Sequence, residues 1–133
     1  MPFTPALSSL YRLHTRALPW EEAAAACRRD GAHLLVVNSE AEALVVKEFF
    51  SRKPQLENAF NAFWLAVGFR RFMGRNETVL GGSLETSGYN KWAPFDGQWV
   101  LTPITDCGVV DRRLLYALED CKHARGFICE LEI

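Results

Sequence analysis

Hydrophobic residues in the first half of the chain recur three or four positions apart in two segments, which is the spacing of a buried helix face. Residues 20–29 hold strong helix formers, and Gly31 follows them as a stop signal. A second helix is predicted to begin after Ser39, with Glu42 completing a capping box, and to end before Pro54. The pattern therefore predicts two helices before the middle of the chain.

The other apolar runs are short and rich in β-branched or aromatic residues, so they predict strands. The predicted strands are residues 10–15, 34–37, 64–69, 78–80, 109–110, 114–118 and 126–130. Residues 85–106 contain Gly, Pro, Asn and Asp without a period, and they predict a long irregular loop of the kind that carries function. Helices followed by antiparallel strands favour an α+β fold. No linker divides the chain, so we expect a single domain over residues 1–133.

Composition excludes several classes of function. The net charge is −1 over 133 residues, which gives no reason to expect a nucleic-acid partner. No apolar run reaches the roughly 18 residues of a membrane span, so membrane insertion is not expected. The first residues carry no secretion signal, and we expect that a leader was removed ahead of Met1.

The cysteines change this picture, because their number is even and their spacing does not suit zinc. They are Cys27, Cys107, Cys121 and Cys129. Two disulfides are therefore predicted, and disulfides indicate a secreted or extracellular protein. Spacing leaves all three pairings open. Asn76 opens an N-glycosylation sequon, which agrees with secretion and places this segment on the surface.

Several short motifs together resemble the C-type lectin-like domain, most closely the insect hemolymph lipopolysaccharide-binding lectins. They are Tyr11-Arg12-Leu13-His14, Trp20-Glu21-Glu22-Ala23, Gly31-Ala32-His33-Leu34, Asn38-Ser39-Glu40, Val67-Gly68-Phe69, Thr86-Ser87-Gly88-Tyr89-Asn90-Lys91-Trp92, Asp106-Cys107-Gly108 and Gly126-Phe127-Ile128-Cys129-Glu130. The resemblance implies disulfides Cys27–Cys129 and Cys107–Cys121. It also implies a double-looped fold in which residues 85–106 form the long loop that recognises ligands.

The resemblance also implies a calcium ion held by the long loop and its neighbouring strand, where it coordinates sugar hydroxyls. The family's loop tripeptide is Glu-Pro-Asn or Gln-Pro-Asp, and Asp96-Gly97-Gln98 stands there in this chain. The family's strand motif Trp-Asn-Asp is replaced by Leu118-Glu119-Asp120. The candidate metal ligands are Asp96, Gln98, Glu119 and Asp120. The alternative is a degraded site, in which these side chains form a solvated surface without a metal.

Aromatic and basic residues supply further candidates. Trp99 in the long loop can stack on a sugar ring, anchor a partner, or fold back into the loop, whereas Trp64 and Trp92 lie in motifs typical of a core. A set of arginines can form basic patches for lipid phosphate, or simply a solvated face. These arginines are Arg70, Arg71, Arg75, Arg112 and Arg113.

Catalysis is not predicted. His14 and His33 lie in framework motifs, and His123 lies in a polar turn. No Ser or Cys has a companion nucleophile motif, and disulfides would occupy all four thiols.

The sequence thus predicts a secreted, non-enzymatic protein that binds microbial surface glycans, such as lipopolysaccharide, in innate immunity. Oligomers or tandem domains would add avidity to a weak sugar site. The alternative is a lectin-like domain that has lost sugar binding and recognises a protein through Trp99 and Phe95 of the same loop.

Overall fold

An eight-stranded sheet runs through the part of the chain that the structure describes. The computed structural model describes residues 4–6, 9–51, 64–94 and 106–132. Its elements, in chain order, are β1 (Thr4–Ala6), β2 (Ser9–Leu18), α1 (Trp20–Arg29), β3 (His33–Leu34), α2 (Glu40–Ser51), β4 (Leu65–Phe72), β5 (Arg75–Thr78), a 3-10 turn (Leu84–Thr86), β6 (Cys107–Val110), β7 (Tyr116–Glu119) and β8 (Arg125–Glu132). Two helices on a mostly antiparallel sheet make this the predicted α+β fold.

The sheet brings the two ends of the chain together. The strand order is β1-β2-β8-β4-β6-β7, with β3 also paired to β8 and β5 to β4. The pairing of β4 with β8 is parallel, through Ala66 opposite Phe127, and the other pairs are antiparallel. No helix among the described residues has the length and apolar content needed to cross a bilayer.

The helices follow the sequence prediction closely, but the strand predicted at residues 34–37 is much shorter in the structure. The prediction over residues 34–37 is wrong beyond its first residue, because β3 contains only His33–Leu34. The chain instead bridges two strands here. The Leu35 N–H donates to the Ile128 carbonyl (2.9 Å), and the Leu35 carbonyl accepts from the Gly68 N–H (2.7 Å).

Two other strand boundaries move for reasons of turn geometry. The prediction of a strand at residues 78–80 is wrong, because β5 ends at Thr78. The chain turns directly after Thr78, whose carbonyl accepts from the Gly81 N–H (3.0 Å), and Gly81 has a φ of 97°. Strand β7 begins at Tyr116 rather than at Leu114, because Leu114 has a φ of 61° and cannot continue a strand.

The helices cover opposite faces of the sheet. Neighbouring strand residues alternate between two buried layers: Leu13 and Ile128 pack in one, and Phe127 and Cys129 pack in the other. We call the first the α2-side layer; it includes Ala43, Val46, Phe50, Leu65, Phe69 and Tyr116. We call the second the α1-side layer; it includes Trp20, Ala23, Ala24, Ala26, Cys27, Leu34 and Ala66.

Two disulfides connect these elements, and they are the pair that the resemblance implied. Cys27 in α1 bonds to Cys129 in β8, and Cys107 in β6 bonds to Cys121 after β7. Trp20 reinforces the start of α1, since its N–H donates to the Cys121 carbonyl (3.1 Å) and its indole Nε1 donates to the Val67 carbonyl (2.8 Å). The helix is therefore fastened to the sheet at both ends.

Candidate functional site

The predicted binding residues divide into two groups. Asp96, Gln98 and Trp99, together with Phe95, lie outside the described residues. Glu119 and Asp120 lie inside them, at the end of β7 and directly after it.

Strand β7 also contacts the residues that flank the long-loop segment 95–105. The Tyr116 N–H donates to the Lys91 carbonyl (2.8 Å), and the Ala93 N–H donates to the Tyr116 carbonyl (2.9 Å). On the other side, Cys107 lies opposite Glu119 in the β6–β7 ladder. Chain on both sides of residues 95–105 is thus held next to β7, which also carries Glu119.

Glu119 already has a cation beside it. The guanidinium Nη2 of Arg125 lies 3.3 Å from the Glu119 Oε1, and the Arg125 side chain is only 3% exposed. Burial raises the pKa of Glu119, and the charge of Arg125 partly opposes that rise. Burial also lowers the pKa of Arg125, while Glu119 acts in the opposite direction. The two residues therefore form a largely buried ion pair, and sequence reasoning missed its basic member.

Asp120 is held in a local turn. Its Oδ1 accepts the Lys122 backbone N–H (2.9 Å), and its Oδ2 lies 3.8 Å from the His123 Nε2. Calcium prefers six to eight oxygen ligands, several of them carboxylates free to face the metal. Because Arg125 already neutralises Glu119 and the turn engages Asp120, the described half of the predicted calcium site does not fit the ion.

A different group of potential metal ligands lies on the other side of the sheet edge. Among the described residues, His33, Glu130 and Glu132 place ligand atoms within 4.8 Å of one another. The oxygens of Glu130 are already used, since they accept from the Ser9 hydroxyl (2.7 Å) and the Val36 N–H (3.2 Å). Glu130 thus belongs to a buried hydrogen-bond network, whereas Glu132 is exposed, and the group is not part of the predicted site.

That network contains a second buried carboxyl. Glu42 accepts a hydrogen bond from the Tyr11 hydroxyl and another from the Asn38 N–H (2.7 Å). Burial, then the nearby charge of Glu42, raises the pKa of Glu130 to about 8. At neutral pH Glu130 is therefore mostly protonated. Half of the capping box predicted for α2 is confirmed, because the Glu42 N–H donates to the Ser39 hydroxyl (3.0 Å), while the Glu42 carboxylate accepts from the Asn38 N–H.

Most of the predicted basic patch is committed to partners within the chain. Arg70 pairs with Glu21 (2.6 Å), Arg71 with Asp106 (3.1 Å) and Arg113 with the fully buried Asp111 (2.6 Å). Arg112 lies over the Phe50 ring at 4.7 Å. These contacts favour a structural interpretation of the arginines, and Arg75 remains as an exposed cation on β5.

Trp64 and Trp92 differ in burial. Trp64 is 7% exposed, in agreement with a core role. Trp92 is 37% exposed, so its assignment to the core is wrong in part. Its indole packs edge-on against Phe69 and Tyr116 and donates to the Asn90 side chain (2.7 Å). One edge of Trp92 therefore faces solvent immediately before the long-loop segment.

The histidines and the sequon have ordinary structural surroundings. His14 stacks on Phe127 with ring centroids 4.4 Å apart, and His33 contacts Glu132 (3.2 Å). Asn76 lies in β5, where its amide donates to Glu85 (3.3 Å). Its glycosylation stays a prediction.

With this geometry established, comparison with known proteins identifies the family. Residues 16–131 match the C-type lectin domain. The chain belongs to the C-type lectin domain family. The domain is 34% identical over 132 residues to the hemolymph lipopolysaccharide-binding protein of Periplaneta americana, in an alignment covering 96% of this chain and 51% of that protein. The chain thus spans about half the length of this relative.

Solved structures agree on the fold. The carbohydrate-recognition domain of the mouse scavenger receptor C-type lectin is similar with a TM-score of 0.78 and 18% identity, covering 98% of this chain and 95% of that one. Human lithostathine is similar with a TM-score of 0.81 and 15% identity, covering 98% and 97%. The family consists of lectins, so the lectin domain is a binding protein and not an enzyme.

Proposed function

We propose that this lectin domain is a secreted protein module, formed by residues 1–133, that binds microbial surface glycans with lipopolysaccharide as the principal candidate. The observation that supports this most is the 34% identity, across 96% of the chain, to a hemolymph protein named for binding lipopolysaccharide. A role in innate immunity follows from the same similarity.

Secretion has independent support. The domain has two disulfides, and such bonds persist in oxidising compartments outside the cytosol. The Asn76 sequon lies on the β4–β5 hairpin, where Asn76 is opposite Arg71. Both features suit a protein that works in an extracellular fluid.

The proposed ligand site centres on residues 95–105, whose flanking chain lies beside β7. Trp99 would stack on the apolar face of a sugar ring, next to the exposed edge of Trp92. Asp96 and Gln98 would accept and donate hydrogen bonds to sugar hydroxyls. Because Glu119 is paired with Arg125, the sugar contacts proposed here do not use calcium. Oligomers or tandem domains would supply avidity.

The test is retention on a glycan array that includes lipopolysaccharide, run with and without a chelator. We expect retention that persists with chelator and is lost in Trp99→Ala, whereas Phe72→Ala, which removes an exposed aromatic ring from the β4–β5 hairpin, retains it. Loss of retention both on chelation and in Asp96→Ala would instead support the calcium hypothesis. Retention on no glycan would contradict the proposed function.

A protein partner is the second candidate, and the exposed edge of Trp92 favours it. Aromatic side chains at the centre of a patch are typical hot spots of protein interfaces. The same array distinguishes the two, because a protein-binding domain would show no glycan retention in either buffer.

A further inference from the structure

An open pocket of about 280 Å³ lies on the α1 side of the sheet, between β2 and the end of α1. The side chains of β2 point alternately to the two faces of the sheet, and those on the α1 face form one wall of the pocket. Tyr11 and Leu13 point into the α2-side layer, so Arg12, His14 and Arg16 face the opposite side. The pocket is separate from Glu119 and from the residues that flank the long-loop segment.

Three arginines line this pocket against a single acid. Arg12 is paired with Asp30 (3.2 Å). Arg16 and Arg29 are exposed, and neither has a hydrogen-bond or ion-pair partner among the described residues. Since the whole chain carries a net charge of −1, this concentration of positive charge is local and unbalanced.

The floor of the pocket is partly apolar. The His14 ring stacks on Phe127, which is itself only 1% exposed, and Leu18 and Ala26 lie beside it. Burial, together with the charge of Arg12, lowers the pKa of His14 and so disfavours its protonated form. The pocket thus combines a partly apolar floor with two uncommitted guanidinium groups at its rim.

This arrangement selects the chemistry of a ligand. A guanidinium offers parallel N–H donors that match the oxygens of a phosphate. The pocket carries three guanidinium groups and one carboxylate, and a phosphate monoester carries close to two negative charges at pH 7. The C-terminal end of α1 opposes an anion, but Arg28 and Arg29 lie in its last turn and offset that dipole.

We propose that this pocket binds a phosphate monoester carried on a small organic group, with Arg16 and Arg29 holding the phosphate and the half-buried His14 and Leu18 contacting the group that bears it. The site is independent of the sugar site proposed above and does not rest on it. It gives the lectin domain a second, anion-selective contact.

The experiment is titration calorimetry of the full chain with N-acetylglucosamine 1-phosphate. Uncharged N-acetylglucosamine and inorganic phosphate serve as reference probes. Phosphatidylcholine vesicles with and without phosphatidic acid form a further arm. Tightest binding to the sugar phosphate identifies a phosphorylated sugar, binding only to phosphatidic acid vesicles identifies a lipid headgroup, and equal binding of inorganic phosphate identifies the free ion.

The matched variants decide whether the pocket is responsible. We expect the double change Arg16→Ala and Arg29→Ala to weaken phosphate binding by about tenfold or more. The control is Lys47→Ala with Arg75→Ala, which removes the same charge from exposed residues outside the pocket and should leave affinity within about twofold. Arg16→Lys with Arg29→Lys keeps the charge but loses the planar fork, so we expect an intermediate loss.

Two results would overturn the proposal: no saturable binding of any phosphate probe, or an equal loss in the pocket variant and its control. Glycan-array retention of the Arg16→Ala, Arg29→Ala variant separates this outcome from the proposed function. A long-loop sugar site would keep its retention there, whether or not phosphate binding is lost.

Discussion

The two faces of the sheet are built on different principles. The α2-side layer is filled by large side chains, including the fully buried Phe50 and Leu65. The α1-side layer uses alanines, so the helix lies close to the sheet and Cys27 reaches Cys129 with 5.4 Å between their Cα atoms. One face therefore depends on packed volume, and the other on close approach and a covalent bond.

This difference explains why the basic pocket lies where it does. The pocket lies beside Ala26, at the end of α1, where Arg16 of β2 is exposed. Tyr11 and Leu13, which face the α2 side of the same strand, are each only 1% exposed. Along β2, the basic side chains of the pocket therefore face the α1 side, and the large apolar side chains face the α2 side.

The largest expected loss of stability comes from removing the disulfide on the α1 side of the sheet. Cys27 and Cys129 are 102 residues apart, and in the chain-entropy model such a crosslink is worth about 4.7 kcal/mol. Cys107 and Cys121 are 14 residues apart, and the same model gives about 3 kcal/mol. We expect Cys27→Ala with Cys129→Ala to lower the free energy of unfolding more than Cys107→Ala with Cys121→Ala. Denaturant unfolding measures both, and the reverse order would contradict the prediction.

Removing a large side chain from the α2-side layer should lower the free energy of unfolding by almost as much as removing the Cys27–Cys129 disulfide. Phe50 is fully buried, so Phe50→Ala is expected to lower the free energy of unfolding by about 3–5 kcal/mol through lost contacts and a cavity. Phe72 is 54% exposed, and Phe72→Ala should change stability by about 0.5 kcal/mol or less. Thermal or denaturant unfolding of the two variants provides the check. Similar losses would mean that packing does not distinguish these positions.

Adding volume to the α1-side layer should lower the free energy of unfolding by less than the two changes above. The loss should still be larger than for the same substitution at a partly exposed position. Ala23 is fully buried between α1 and the sheet, and Ala23→Leu is expected to cost about 1–3 kcal/mol by overpacking. Ala25 is partly exposed on the same helix, so Ala25→Leu is the matched control with an effect of about 0.5 kcal/mol or less. If both variants unfold at the same denaturant concentration, the space between α1 and the sheet can accept a larger side chain, and the prediction is wrong.

The smallest predicted effect at neutral pH concerns the carboxyl pair beneath the α2 side. Because the pKa of Glu130 is raised from 4.5 to about 8 in the folded domain, the unfolded chain loses this proton first. Stability is then fully present below about pH 4.5 and is lost as pH rises through about 8. Glu130→Gln imitates the protonated form, so we expect little change at pH 5 and a flatter pH dependence above it.

The control for that prediction is an exposed carboxylate on another element. Glu22 is exposed on α1, so Glu22→Gln should leave the pH dependence between 5 and 8 as it is. Thermal unfolding across this range separates the two variants. An unchanged slope in Glu130→Gln would mean that Glu130 does not carry the proton.

Sequence reasoning predicted the fold well wherever one local signal decided the structure. The first helix is found at residues 20–29, and the second at Glu40–Ser51, close to its predicted start and end. The misplaced strands depend on information that local pattern lacks. Residues 35–37 have the apolar, β-branched pattern of a buried strand. The backbone of Leu35 instead forms single hydrogen bonds with Ile128 and Gly68, which lie on two different strands.

The candidate site was less predictable, because its key contacts join residues far apart in the sequence or depend on exposure. The motif Leu118-Glu119-Asp120 gave no indication that Arg125 would neutralise Glu119. Trp92 was assigned to the core from its motif, although one edge is exposed. The alternation of Arg12, His14 and Arg16 was a usable signal for the pocket, but its meaning required α1 to be placed against it.

The ladder contacts on each side of residues 95–105 have a consequence for how this module can diversify. The Tyr116 N–H donates to Lys91 and its carbonyl accepts from Ala93, which fixes the chain before the segment, and a disulfide to Cys121 fixes it at Cys107. Closing a loop between anchored ends costs little more when the loop grows, since the entropy rises only with the logarithm of its length. The sequence and length of residues 95–105 can therefore change at little cost in stability, which would allow related domains to bind different ligands on the same fold.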